Sequence, residues 1–449
     1  VIPKLDPDGR HSNVKNSETL YQYQTDGIET LHRMLTTRAD RAALLADPPG
    51  AGKTPQALGV AEMLEAKSVI IVCPASLKEN WRREVQRWSH FERITVCRDN
   101  RTIIHPELDG VVILSSGLSL STNIARQIVG RRWDFLIIDE AHCAKNPTSQ
   151  TSRMLLVSYW AQCRYRLLIT GTPLPNGRAS EAWTMFSRLD REEFGNWKNF
   201  AEKYCIEEVG KYGKEYKRSR NLPELRKIAE DRFMVRRTKE EVRKLLPGIV
   251  RQNIFVELPG KEAMAAENNI DVDAILTAIE MGYPLESDHI ATARKKIAEL
   301  KAPLVFQRVM DLLDEVDQLV VFLHHKNMYE HVSTRLEAAG IPWVGVSGAT
   351  HPHERMVAVD MFQTNKARVF LGSIRAASTG LTLTAASTLL MAEYDWVPSI
   401  NEQAEGRIYR LTQTEICRVQ YLVAKDTLDE KVLKAVQRKQ KDIELILGS

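Results

Sequence analysis

Short apolar runs punctuate the first part of the chain at residues 41–46, 68–73, 111–115, 134–139 and 166–170. Amphipathic stretches lie between them. In residues 56–66, for example, Ala57, Val60, Ala61 and Leu64 keep the spacing of one helix face. Buried strands alternating with helices predict a parallel sheet covered on both sides. The pattern changes over residues 179–244, which are charged, helical in period and without strand runs, and residues 261–316 also read as helices. From Gln318 the alternation returns, with apolar runs at 319–323, 342–346, 368–372, 388–393 and 418–423. The expected fold is therefore α/β, two lobes separated by a helical middle, with the boundary near Leu246-Pro247-Gly248, where a helix must stop. In domain terms this means a flexible segment 1–18, lobe 1 over 19–246 with a helical insertion at about 179–244, and lobe 2 over 247–449 with a helical start at about 261–316. Trp81 and Trp88 share a helical face with Leu77 and Val85 and read as core packing, while Val432, Val436 and Ile443 predict a C-terminal helix docked on lobe 2.

Composition narrows the class. With 449 residues, 43% hydrophobic and 27% charged, the chain has the balance of a globular protein of two domains, and bulk disorder is excluded. No apolar run approaches the ~18 residues of a membrane helix, and residues 1–17 do not have the form of a signal peptide. Six scattered cysteines without a CxxC pair argue for a reducing compartment and against a zinc finger, and His351, His353 and the His324–His325 pair lack companion ligands, so no structural zinc is expected. Cys143 is expected to be a small buried residue. The net charge is +4, but residues 211–244 hold 13 Lys/Arg against 6 Asp/Glu, an excess of +7. That stretch is either a footprint for a polyanion or a solvated helical surface.

The chemistry begins after the first run. Asp47-Pro48-Pro49-Gly50-Ala51-Gly52-Lys53-Thr54 follows a strand and precedes a helix, the setting of a phosphate-binding loop. Gly50 and Gly52 let backbone N–H groups close around phosphates, Lys53 reaches the β/γ oxygens, and the Thr54 hydroxyl is a ligand for Mg²⁺. Asp47 stands where the strict pattern has Gly. Downstream, residues 135–138 form an apolar strand ending in Asp139-Glu140-Ala141-His142. Asp139 is placed to hold the Mg²⁺ shell and Glu140 to polarise a water for in-line attack on a γ-phosphate. The cofactors expected are ATP and Mg²⁺. Far along the chain, Arg407 and Arg410 are spaced to point the same way from one helix, and their forked cations suit the charge on a transferring phosphoryl group.

More motifs stand in order. They are Leu20–Gln24, Leu45-Ala46-Asp47, Ile71–Leu77 with Asn80-Trp81, Leu168–Leu174 with Asn176, Phe233–Lys239, Val321–Lys326, Ser378–Thr382 and Gln403–Arg410. Over about residues 20–440 the chain resembles the Swi/Snf-type ATPases of helicase superfamily 2, most closely their HepA-related, annealing-helicase branch. Pro48-Pro49, Gly406 and Tyr409 depart from that family's usual spelling, and the QxxGRxxR form of Gln403–Arg410 is that of superfamily 2 at large.

The resemblance implies two RecA-like lobes, an ATP-dependent translocase on double-stranded or branched DNA, and a bare, monomeric motor without substrate-recognition or histone-reading modules. It implies that Gln24 reads adenine and that Asp47, Gly50, Ala51, Gly52, Lys53, Thr54 and Gln403 serve the nucleotide. It also implies that His142 and Gln403 link the two lobes, that Arg407 and Arg410 are arginine fingers, and that Phe233–Lys239 is a lobe-joining brace. With the phosphate loop and the arginines in different lobes, hydrolysis is expected when the lobes close on ATP. Loop residues with small donors suit DNA phosphates: Ser76, Lys78, Ser115, Ser116, His325, Lys326, Ser347, Gly348, Ser373, Thr379, Gly380 and Thr382. Two other functions remain open, a strand-separating superfamily 2 helicase on DNA or RNA and an ATP-gated DNA-binding subunit without turnover. The expected location is cytoplasmic and nucleoid-associated in a bacterial or viral setting, nuclear in a eukaryotic one.

Overall fold

The computed structural model describes residues 20–105, 109–171, 173, 178–210, 213–244, 246–258, 288–377 and 380–447. The chain divides into two compact units, Val1–Thr238 and Lys239–Ser449.

In the first unit, β1 (Ala42–Leu45), β2 (Ser68–Cys73), β3 (Ile94–Val96), β4 (Gly110–Ser115), β5 (Trp133–Asp139) and β6 (Cys163–Ile169) correspond to the apolar runs, with β3 added at an edge. Together with a late strand, Met234–Val235, they make a seven-stranded parallel sheet in the order β3-β4-β2-β5-β6-β1 and then that late strand. The middle strands are buried on both faces because helices cover both. Val69, Ile71, Phe135 and Ile137 pack under α1 (Gln22–Thr37), α2 (Lys53–Met63) and α3 (Lys78–Trp88), and the alternate residues Ile70, Val72, Leu136 and Ile138 are equally inaccessible. Trp81 and Val85 lie in this core with Leu77, and Trp88 packs partly against it.

The insertion differs from its expectation. Residues 179–244 include an antiparallel hairpin, β7 (Cys205–Gly210) with β8 (Gly213–Ser219), besides the two-residue strand Met234–Val235, here β9, which pairs with β1. The hairpin strands mix charged residues with Gly, Ser and Tyr and show no apolar alternation. An aromatic cluster holds the insertion together instead. Phe194 meets Phe186, Phe200, Tyr204 and Phe233 with ring centroids 5.7, 5.8, 6.3 and 6.0 Å away, and Trp197 stands edge-on to Tyr216 at 5.3 Å, fastening the hairpin.

The second unit is a six-stranded parallel sheet ordered β10 (Ile249–Val256), β15 (Cys417–Ala424), β14 (Thr388–Met391), β11 (Leu319–Leu323), β13 (Val369–Ser373), β12 (Trp343–Val346). The edge strand β10 is absent from the expected set because it is largely exposed. Helix Asp288–Glu315 accounts for the later part of the expected helical start, and residues 259–287 lie outside the described residues, as does the segment 1–18. The C-terminal helix, Leu428–Leu447, docks through Val432 and Val436. No described helix is long and apolar enough to cross a membrane.

Candidate active site

Strand register gathers the predicted residues. Ile169 pairs with Asp139 on one side and Leu45 on the other, and Leu45 pairs in turn with Val235. In a parallel sheet all four strands leave this row at the same edge, so Asp47, Glu140, Thr170 and Arg237 emerge side by side.

The phosphate loop turns through left-handed backbone at Gly50 (φ 82°) and Gly52 (φ 65°), conformations that cost a Cβ-bearing residue about 1 kcal/mol or more. Gly52 is also the N-cap of α2, which places Lys53, Thr54 and Pro55 in its first turn and turns the positive helix end toward the loop. The Lys53 ammonium donates to the carbonyls of Asp47 (2.9 Å) and Pro48 (3.0 Å). Burial pushes its pKa down against the pull of the Glu140, Asp47 and Asp139 charges. Tyr23 donates its hydroxyl to the Ala51 carbonyl (2.8 Å), and Gln24, itself buried, accepts from Tyr21 N (3.0 Å) and reaches the Gly52 carbonyl (3.5 Å).

Asp47 is held by protein groups at the base of the loop. Its carboxylate, fully buried, accepts from Arg237 N (2.9 Å), Arg237 Nη1 (2.7 Å) and Gln56 Nε2 (3.0 Å). A buried carboxylate needs a cation, and the Arg237 guanidinium supplies it.

At the end of β5, Asp139 accepts from the Trp81 indole N–H (2.9 Å) and from Glu140 N (2.9 Å). Burial first, and then the Glu140 charge, push its pKa up to about 6 against the Trp81 hydrogen bond and Lys53. Glu140 sits in left-handed backbone, φ 49°. His142 Nδ1 lies 3.2 Å from Glu140 Oε2 and 3.3 Å from Thr170 Oγ1, joining the acid to the end of β6. Cys143 is exposed, not buried as expected, yet desolvation and the two neighbouring carboxylates push its thiol up to about 11. Among the described residues no cluster of His, Cys, Asp and Glu makes a protein-only metal cage. A single carboxylate such as Asp139 suits Mg²⁺, which keeps waters and takes its remaining ligands from a bound phosphate.

The two arginines do not share a helix. Helix Pro398–Glu405 stops at Gly406, and both lie in the following turns, because a Gly-started turn replaces the expected continuation. Arg407, 7% exposed, donates to the carbonyls of Gln403 (2.8 Å) and Leu381 (3.3 Å). Arg410 donates to Gly406 O (2.6 Å) and Thr382 Oγ1 (2.9 Å). Arg407 is thus buried in the turn, and Arg410 is partly exposed.

Of the nucleic-acid candidates, those of the second unit gather at the C-terminal edge of its sheet. His325-Lys326 follows β11, Ser347-Gly348 follows β12, and Ser373 ends β13. Lys326 is exposed, Gly348 has open space around it, and Gly380 is left-handed (φ 73°). His325 instead holds Glu393, through Nδ1 (2.5 Å) and its backbone N–H (2.8 Å). In the first unit Lys78 donates to the Cys97 carbonyl (2.6 Å), and buried Ser115 accepts from Leu118 N (3.3 Å). These are turn and packing roles, which a strand-end serine or lysine adopts as readily as a phosphate contact. Ser76 and Ser116 are partly exposed, and Thr379 lies outside the described residues. Trp81, Tyr23, Gln56 and Arg237 belong to this site without having been expected there. Trp81 is legible in the sequence only as apolar, since its indole N–H shows no periodicity.

Comparison with known proteins adds the following. The SNF2-related domain matches residues 23–319, and the helicase conserved C-terminal domain matches residues 304–412. The Xenopus tropicalis SWI/SNF-related matrix-associated actin-dependent regulator of chromatin subfamily A-like protein 1 is 29% identical over 456 residues, covering 98% of this chain and 46% of that protein. The human DNA annealing helicase and endonuclease ZRANB3 is 30% identical over 436 residues, covering 94% and 40%. The chain thus spans less than half the length of either relative. The Sulfolobus solfataricus SWI2/SNF2 ATPase core, solved in complex with dsDNA, is similar over 97% of this chain and 94% of that one, with a TM-score of 0.47 and 23% identity.

Proposed function

The chain belongs to the SNF2-related ATPases, and from that premise we propose that it is an ATP-driven translocase on double-stranded DNA, acting in fork remodelling, strand annealing or displacement of bound proteins. The observation that supports the reading is the row formed by Leu45, Ile169 and Asp139, beside which the phosphate loop and the paired acids leave the same sheet edge. Lys53 and the first turn of α2 bind the phosphates, Thr54 and Asp139 would hold Mg²⁺, and Glu140 accepts a proton from the attacking water with His142 fixing its carboxylate. Mg²⁺, when bound, neutralises charge on the β and γ oxygens. The protein set, unlike that of an inert clamp, lacks no member: Arg410 is present and partly exposed in the second unit.

Duplex DNA as the track rests on the resemblance to the annealing-helicase branch and on the named activity of the human relative. Small donors and Lys326 along the edge of the second sheet suit a backbone that carries no sequence information. The test is ATP turnover with duplex DNA, single-stranded DNA and RNA in parallel. Stimulation by duplex without release of a paired strand is expected. Stimulation by single strands with strand release would favour the helicase instead, and no turnover under any condition would leave a DNA-binding subunit.

A further inference from the structure

One arginine outside the conventional hydrolytic set touches Asp47 at the base of the phosphate loop, Gln56 on α2 and Tyr23 on α1. Arg237 donates its backbone N–H and Nη1 to the two oxygens of Asp47 (2.9 and 2.7 Å), and Nη1 also reaches Gln56 Oε1 (2.9 Å) on α2. Its Nη2 donates to the Tyr23 carbonyl at the start of α1, and its guanidinium lies 5.3 Å from the centre of the Tyr23 ring. Tyr23 in turn holds the Ala51 carbonyl in the phosphate loop (2.8 Å). The same side chain therefore fixes the loop from Asp47 at its base and, through Tyr23, from its middle.

A second observation points to the same place. Gly27 is buried inside α1, where glycine is a poor helix former. A Cβ there would come within 2.4 Å of Arg237 Nη2 and about the same distance of Gln56 Oε1, so the helix leaves room for the guanidinium. Lysine could not replace it, because one ammonium cannot serve carboxylate, amide and carbonyl in a fixed plane while stacking on a ring.

We propose that Arg237 is a positioning residue for the nucleotide site, holding Tyr23 and the phosphate loop in the geometry that binds ATP, beyond its neutralisation of Asp47. The proposal rests on the ATPase reading above. It predicts that the arginine governs ATP affinity and KM more than kcat, since it touches the loop and not the reacting atoms.

Arg237→Met alone would leave a buried carboxylate with Gln56 as its side-chain donor, and such a variant could fail to fold. The decisive variant is therefore Arg237→Met with Asp47→Asn, which removes both charges and keeps an acceptor for Gln56. Binding of a fluorescent, non-hydrolysable ATP analogue is measured without DNA, together with urea unfolding and the KM and kcat of turnover. The double variant is expected to unfold near the wild-type midpoint, to bind the analogue about 10-fold or more weakly and to show a raised KM, the scale of a missing positioning interaction. Arg237→Lys should not rescue binding, and Gly27→Ala, which pushes on the guanidinium from the other side, should weaken it in the same direction. If the double variant folds and binds like wild type, Arg237 does nothing but balance Asp47, and the proposal is overturned. If wild type itself binds no ATP analogue, the ATPase reading falls and takes the proposal with it.

Discussion

Glu140 occupies backbone that a long side chain adopts at a cost of about 1–2 kcal/mol, and it does so at the point where β5 must turn its last carboxylates in different directions. Asp139 is directed at Trp81 and Glu140 at His142, which gives the two carboxylates different partners. Two variants should therefore fail differently: Lys53→Ala loses nucleotide binding, whereas Glu140→Gln binds ATP and loses hydrolysis. Wild-type turnover in the Gln variant would remove Glu140 from the mechanism. Trp81→Phe keeps the packing and deletes one donor to Asp139. Its expected signature is a higher Mg²⁺ requirement for turnover with a stability loss of about 1 kcal/mol, read from a magnesium titration and urea unfolding. In the second unit, His325 and two backbone N–H groups hold Glu393 down at about 2 although burial opposes them, and His324 is pushed down to about 4, chiefly by its own burial. Both folded-state pKa values lie below the ordinary ones, so the unfolded chain takes up protons first and stability falls with falling pH. The His324 contribution is lost between about 6.5 and 4, that of Glu393 between about 4.5 and 2. Unfolding midpoints across this range should fall less steeply for His324→Gln above pH 4 than for wild type.

Elements were legible where burial is two-sided and obscure where it is not. β2, with all six residues buried, reads as a strand from any window, and the row that assembles the hydrolytic residues follows from such strands. β7, β8 and β10 do not, because β10 is largely exposed and the sequences of β7 and β8 show no alternation, so pairing geometry makes them strands. The end of helix Pro398–Glu405 was written in Gly406, yet the i,i+3 spacing of Arg407 and Arg410 looks the same in a turn as in a helix. Asp47 could not be read as a strut, since its partner lies 190 residues away in sequence. The hairpin also qualifies the basic stretch. Arg218 pairs with Glu208, so part of the excess charge is neutralised locally. If the hairpin binds duplex phosphates, replacing Lys211, Lys214, Lys217 and Arg218 by Gln should lower the slope of log affinity against log salt by ~0.9 for each phosphate no longer neutralised. Arg218→Gln alone should leave that slope unchanged, and a drop of ~0.9 in the single variant would show that the pair opens on DNA. The aromatic cluster sets the hairpin's foundation: Phe194→Ala should cost about 3–5 kcal/mol, measured by urea unfolding of the whole chain.

At the scale of the molecule, the phosphate loop and the paired acids lie in the first unit and Arg410 in the second. Arg410→Ala is expected to leave nucleotide affinity nearly intact and to cut DNA-stimulated turnover by about 10³, the scale of an arginine finger. An equal loss of affinity and rate would place Arg410 in ground-state binding or folding instead. Both sheets share a further property in how their strands are ordered. β1, the first strand of its unit, is flanked by β9, the last, and β10, the first of the other, lies against β15, the last. During synthesis the row beside β1 therefore stays open until Met234 and Val235 have left the ribosome, and Asp47 waits for Arg237 over the same interval. The phosphate cradle is thus a late product of translation: the hairpin and its aromatic cluster must be made, and must not trap the chain, before any nucleotide can be held.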